Sequence, residues 1–156
     1  MTKLYSILQK PITIQKNSSI QQAIVGLVEK NISRLIVMEF QSPVGIITEK
    51  DIGLFLLNDE SEKSLDCIPI SEIMKPFISV DRFTSIQECA QIMRDREIGS
   101  LGVTSKDNTL IGIVTKTDLV KYYKQNYIGY NKVGNLMTIS YVSMNSNEYL
   151  HKIVST

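Results

Sequence analysis

Two short segments of this chain carry residue types that could do chemistry, and both carry them in the same order. The first reads Gly45-Ile-Ile-Thr48-Glu-Lys-Asp51 and the second Gly112-Ile-Val-Thr115-Lys-Thr-Asp118. The local account of each is a helix start. Thr-x-x-Asp is a variant capping box, and an acid in the first turn suits the helix dipole. Three features point past it to binding. The glycine three residues before each threonine lies in a strand-like run, which it weakens unless something must approach the backbone closely. The whole pattern occurs twice. A strand-to-helix junction also presents a hydroxyl, N–H groups and an acceptor carboxylate together, and one carboxylate can accept both adjacent hydroxyls of a ribose.

Catalysis finds no such support. His151 is the single histidine, so neither a Ser-His-Asp nor a Cys-His constellation is available within the two segments. There is no P-loop and no H-E-x-x-H, no metal site is expected, and no base or nucleophile accompanies Thr48, Asp51, Thr115 or Asp118. The chain reads as a binder, not an enzyme. Cys67 and Cys89 are isolated and read as reduced thiols that pack like small apolar side chains. Lys+Arg is 17 against Asp+Glu 16, a net +1, whereas a DNA-binding protein would show a basic excess. No secretory signal opens the chain, and no apolar run nears the about 18 residues of a membrane span. A cytoplasmic location is the expectation.

The elements that must position these residues also come twice. Ile12, Ile14, Ile20, Leu27, Ile32, Leu35 and Val37 fall on Ile78, Val80, Ile86, Met93, Ile98, Leu101 and Val103, a period of about 66 residues. Each copy opens with a short alternating strand. Ser19-x-x-Gln22 and Ser85-x-x-Glu88 then read as capping boxes for a helix. The first helix carries an apolar stripe of Ile20, Ala23, Ile24, Leu27 and Val28, and the second keeps it at Ile86, Cys89, Ala90 and Met93. Two β-rich runs follow in each copy, RLIVMEF with VGIIT and SLGVTS with LIGIVT, joined by polar turns. A last helix carries Ile52, Phe55 and Leu56 in one copy and Leu119, Tyr122 and Tyr123 in the other. The unit is β-α-β-β-α, twice, an α/β (α+β) fold.

This repeated unit, closed each time by G-h-x-[ST]-x-x-D, resembles the CBS domain, named for cystathionine β-synthase. The resemblance covers nearly all of residues 7 to 123. It implies tandem repeats packed sheet to sheet with pseudo-two-fold symmetry, two candidate clefts, and a regulatory role through an adenosine nucleotide or S-adenosylmethionine. Carried over by position, Thr48, Asp51, Thr115 and Asp118 would hold ribose hydroxyls. Ile46, Ile47, Ile113 and Val114 would wall the base, with the opening strands at Ile12 and Ile78 touching it through the backbone. Phosphate would fall to Ser33 and Arg34 at the start of the second strand, with Ser100 as the uncharged counterpart of Arg34, and Lys50 and Lys116 as helpers or plain surface residues. One arginine against none makes one cleft dominant and favours AMP or ADP over ATP, since a single Arg cannot neutralise a triphosphate.

The expected boundaries are a first repeat over 7–58, a polar linker over 59–72, a second repeat over 73–125, and the opening strand and helix of a third over 133–156. The last segment is either a repeat cut short or a C-terminal helix packed on the pair. Leu54 and Leu57 lie off the inward stripe of their helix and point to a homodimer, with a regulated target unspecified. Two other readings stand beside the nucleotide sensor. One is a structural dimerisation module with degenerate clefts; the other is an RNA adaptor using a basic face near Lys116, Lys121, Lys124 and Lys132.

Overall fold

The computed structural model describes residues 4–126, together with 129, 130, 132–135, 137 and 139. The chain divides into two compact units, residues 1–125 and 126–156. In the second unit Val133–Asn135 forms a 3-10 turn, and the third repeat expected over 133–156 otherwise lies largely outside the described residues.

The first unit holds two sheets and four helices. Strand β1 (Thr13–Gln15) leads to helix α1 (Ile20–Glu29), the hairpin β2 (Arg34–Glu39) and β3 (Ser42–Thr48), and helix α2 (Glu49–Asn58). After a 3-10 turn at Ile70–Glu72 and the two-residue strand β4 (Lys75–Pro76), the order recurs. It gives β5 (Ser79–Asp81), α3 (Ile86–Asp95), β6 (Ser100–Thr104), β7 (Leu110–Thr115) and α4 (Lys116–Asn126). In each copy the opening strand pairs parallel with the next, which pairs antiparallel with the third.

Local chemistry sets the helix ends. Ser19 Oγ accepts from Gln22 N at 3.2 Å and Gln22 Oε1 accepts from Ser19 N at 3.0 Å, a full capping box. Ser85 Oγ accepts from Glu88 N at 3.1 Å, but the Glu88 side chain does not reach back, so the second box is one-sided. Both α1 and α3 end in the same left-handed cap: Asn31 (φ 49°) and Glu97 (φ 54°), 66 positions apart, turn the chain out of the helix. Ile32 N and Ile98 N then bond back to Leu27 O and Met93 O at 3.0 Å.

The helical stripes are narrower than the spacing suggested. On α1 the buried residues are Ile20, Ala23 and Leu27, while Val28 is 74% exposed. On α2, Leu56 is exposed at 49% and the helix is held by Ile52 and Phe55. The central strand β2 is covered on both faces: Leu35 and Val37 enter the first core, and Ile36, pointing the other way, is also buried.

The two cores are completed by exchange. Ile68, Ile70, Ile73 and Met74, which come before the opening strand β5 of the second copy, pack into the core of the first. Leu4, Ile7 and Leu8, which come before the opening strand β1 of the first copy, pack into the core of the second. The backbone follows suit. Strand β4 pairs with β3 (Gly45↔Pro76, Ile46↔Lys75), and Gln9 bridges Ile113 across β7. The stretch read as a polar linker thus ends in core residues, and Leu4, outside the expected first repeat, is fully buried. Each such Leu or Ile stabilises the fold by roughly 1.5–3 kcal/mol through burial.

Candidate functional site

The two Thr-x-x-Asp junctions have the same internal geometry. Asp51 Oδ2 accepts from Thr48 N at 3.0 Å and from Thr48 Oγ1 at 2.6 Å, and Thr48 Oγ1 accepts from Asp51 N at 3.2 Å. In the second copy Asp118 Oδ2 accepts from Thr115 N at 2.9 Å and Oγ1 at 2.6 Å, with Asp118 N donating to Thr115 Oγ1 at 3.3 Å. Each threonine caps its helix while its aspartate closes the box, and both aspartates are buried at 6% exposure. The second carboxylate oxygen is where the copies part. Asp51 Oδ1 meets Lys75 Nζ at 2.6 Å, whereas Asp118 Oδ1 accepts from Gln9 Nε2 at 3.2 Å. Capping and an outward-facing oxygen therefore coexist on one side chain.

A cleft of about 450 Å³ opens at the first of these junctions. It draws on both repeats. Ile46, Thr48 and Asp51 come with Ser33 and Arg34 from the first, while Ile78, Gly99 and Ser100 come from the second. Half of the residues proposed from sequence thus meet in one place. The mix suits a flat apolar ring at Ile46 and Ile78, an acceptor at Asp51, and an anion near Arg34, Ser33 and Ser100.

The others lie elsewhere. Ile47 is fully buried in the first core and Val114 in the second, because alternation along β3 and β7 turns them to the face opposite Ile46 and Ile113. Of the four residues expected to wall the base, Ile46 lines this cleft. Ile12 packs against the first core and Ile113 pairs with Gln9, and neither they nor Thr115 and Asp118 line this cleft. Lys116 is exposed at the start of α4 and does not line the cleft, whereas Lys50 does.

Arg34 sits at the meeting of the repeats. Its Nη1 lies 3.2 Å from the point where a Cβ on Gly99 would stand, so a side chain there would push the guanidinium away. Burial lowers the Arg34 pKa from its ordinary value, opposed by the charges of Asp118 and then Glu49. The guanidinium thus lies in the field of carboxylates from both copies, Asp118 and Glu49.

Sequence reasoning missed Lys75 and Phe77, which also line the cleft. The signal was the repeat itself, since Lys75 stands 66 positions after Gln9, both just ahead of an opening strand. The close approach inferred at the motif glycines is made by the chain itself. A Cβ on Gly45 would stand 3.1 Å from Lys75 O, and one on Gly112 would stand 3.2 Å from Gln9 O. The backbone they admit is the chain's own, the exchanged strand, and not a ligand. Gly102 likewise makes room for the Phe77 ring. The two thiols differ as well. Cys89 is buried in the second core and its pKa is pushed up to about 11 by desolvation and then by Glu88, whereas Cys67 is exposed and packs against nothing as a core residue would.

No helix among the described residues is long and apolar enough to cross a membrane, and no group of three or more potential metal ligands occurs among them. An uncharacterised protein of Methanocaldococcus jannaschii is 32% identical over 134 residues, covering 78% of this chain and 32% of that protein. A CBS domain-containing protein of Dictyostelium discoideum is 32% identical over 117 residues, covering 69% of this chain and 81% of that one. The chain thus spans about a third of the length of the archaeal relative. Among solved structures, a CBS domain pair in complex with 5′-methylthioadenosine and S-adenosyl-L-methionine superposes with a TM-score of 0.71 at 30% identity, over 80% of this chain and 98% of that one. The CBS domain pattern itself matches residues 4–57 and again 70–125, and the chain belongs to the CBS domain family.

Proposed function

We propose that the chain is a regulatory module that binds an adenosine nucleotide in the cleft between its repeats, with AMP or ADP ahead of ATP. The observation that carries this reading is the convergence of Asp51, Thr48, Ile46 and Arg34 from one repeat with Ile78 and Ser100 from the other around one cleft. A ligand seated there touches both repeats. Its binding energy therefore couples to their relative placement, which is the physical requirement for a sensor. The adenosyl ligands held by the solved pair at 30% identity support the ligand class.

In this reading Asp51 accepts ribose hydroxyls, Ile46 and Ile78 sandwich the base, and Arg34 takes phosphate with Ser33 and Ser100 as donors. A single arginine matches one or two phosphates better than three. Thermal unfolding with AMP, ADP, ATP and S-adenosylmethionine tests it. A ligand at about 100 times its Kd adds roughly 2.7 kcal/mol of stability. AMP or ADP is expected to give the largest shift, and no shift with any of the four would refute the reading.

A further inference from the structure

Asp51 has one oxygen committed twice to Thr48 and the other committed to Lys75, and its side chain is only 4% exposed. A carboxylate oxygen accepts about two hydrogen bonds. Oδ2 is therefore full, and Oδ1 has room for one hydroxyl beside Lys75 Nζ at 2.6 Å, so accepting both adjacent ribose hydroxyls requires the lysine to leave. Lys75 can give way. Its backbone is fixed by pairing with Ile46, but its side chain is 60% exposed on a flexible four-carbon stem. It lines the same cleft as Arg34 and Ser33, so an ammonium leaving Asp51 stays beside the region where a phosphate on the ribose would lie.

The second copy has the same geometry without the charge. Gln9 occupies the place of Lys75 and Ser100 the place of Arg34, so a lysine contact to the motif aspartate is made at the first junction and an uncharged one at the second. We infer that Lys75 sets the cleft's selectivity for phosphorylated over unphosphorylated adenosine, by holding Asp51 against the ribose and transferring to the phosphate when one is present. An unphosphorylated nucleoside breaks the Lys75–Asp51 pair and returns nothing to the lysine. A nucleotide breaks the same pair and replaces it with an ammonium–phosphate contact.

The inference rests on the adenosine reading, and calorimetry of the full chain with adenosine and with AMP separates the two. Lys75→Met removes the pair, so adenosine should bind about threefold more tightly, the scale of an ion pair with one exposed partner. AMP should bind about tenfold more weakly, the loss of a charge-assisted contact. The AMP-to-adenosine preference then falls about thirtyfold. Lys75→Gln, which copies Gln9, should lower the preference in the same direction. Equal changes for both ligands in Lys75→Met, or none, would overturn the role of Lys75 with the adenosine reading intact. Failure of both ligands to bind the unaltered chain would overturn the reading itself.

Discussion

Single side chains here carry two duties at once. Asp51 and Asp118 close capping boxes with one oxygen and offer the other outward. The local and the functional accounts of Thr-x-x-Asp are thus compatible, and sequence could weigh them but not separate them. Burial decides elsewhere. The Cys89 thiol holds its proton up to about pH 11, because desolvation in the second core disfavours the thiolate. Its folded pKa lies above the unfolded one, so its contribution to stability is whole below the ordinary thiol range and is lost as pH rises toward 11. A thiol reagent at neutral pH should label Cys67 in the folded protein and reach Cys89 only on unfolding; equal labelling rates would contradict the burial. Both cysteines looked alike in sequence, because neither spacing nor residue type distinguishes a loop thiol from one on the inward face of α3.

Elements were legible to the extent that periodicity and caps set them. The β-α-β-β-α order, Ser19 with Gln22, and the repeated junctions all follow from residue type and spacing. What stayed hidden was tertiary: which partner strand each edge takes. Residues 4–9 and 68–76 are too short and irregular to announce a pairing, and only the second copy of each contact reveals it. The exchange makes a specific demand. Leu4→Ala and Ile70→Ala should each cost about 2–5 kcal/mol, the range for truncating a fully buried Leu or Ile. Each should weaken the core of the repeat that does not follow it in sequence. Hydrogen exchange on Leu4→Ala should loosen β6 and β7 more than β2 and β3, and the reverse pattern would contradict the exchange.

At the scale of the whole molecule, two surfaces remain to be assigned. Leu54 and Leu57 on α2 and Val120 on α4 are exposed at 46%, 58% and 67%. Exposed apolar side chains on the last helix of each repeat suit burial against a second copy. Sedimentation should show a dimer at tens of micromolar, near the range where a modest interface is populated. Leu54→Glu with Leu57→Glu should return a monomer. The other surface is the cleft. Its asymmetry was visible in Arg34 against Ser100, but its location on the Asp51 side needed the structure, since residues of both repeats converge on it. The central claim is that one cleft per chain binds an adenosine nucleotide through Asp51. Calorimetry with AMP on Asp51→Ala and Asp118→Ala tests it most directly, because each change opens an equivalent capping box and leaves its N-cap threonine in place, so the structural cost is matched. One strong site, lost in Asp51→Ala and retained in Asp118→Ala, is the expected result; two equal sites, or a site that survives Asp51→Ala, would contradict it.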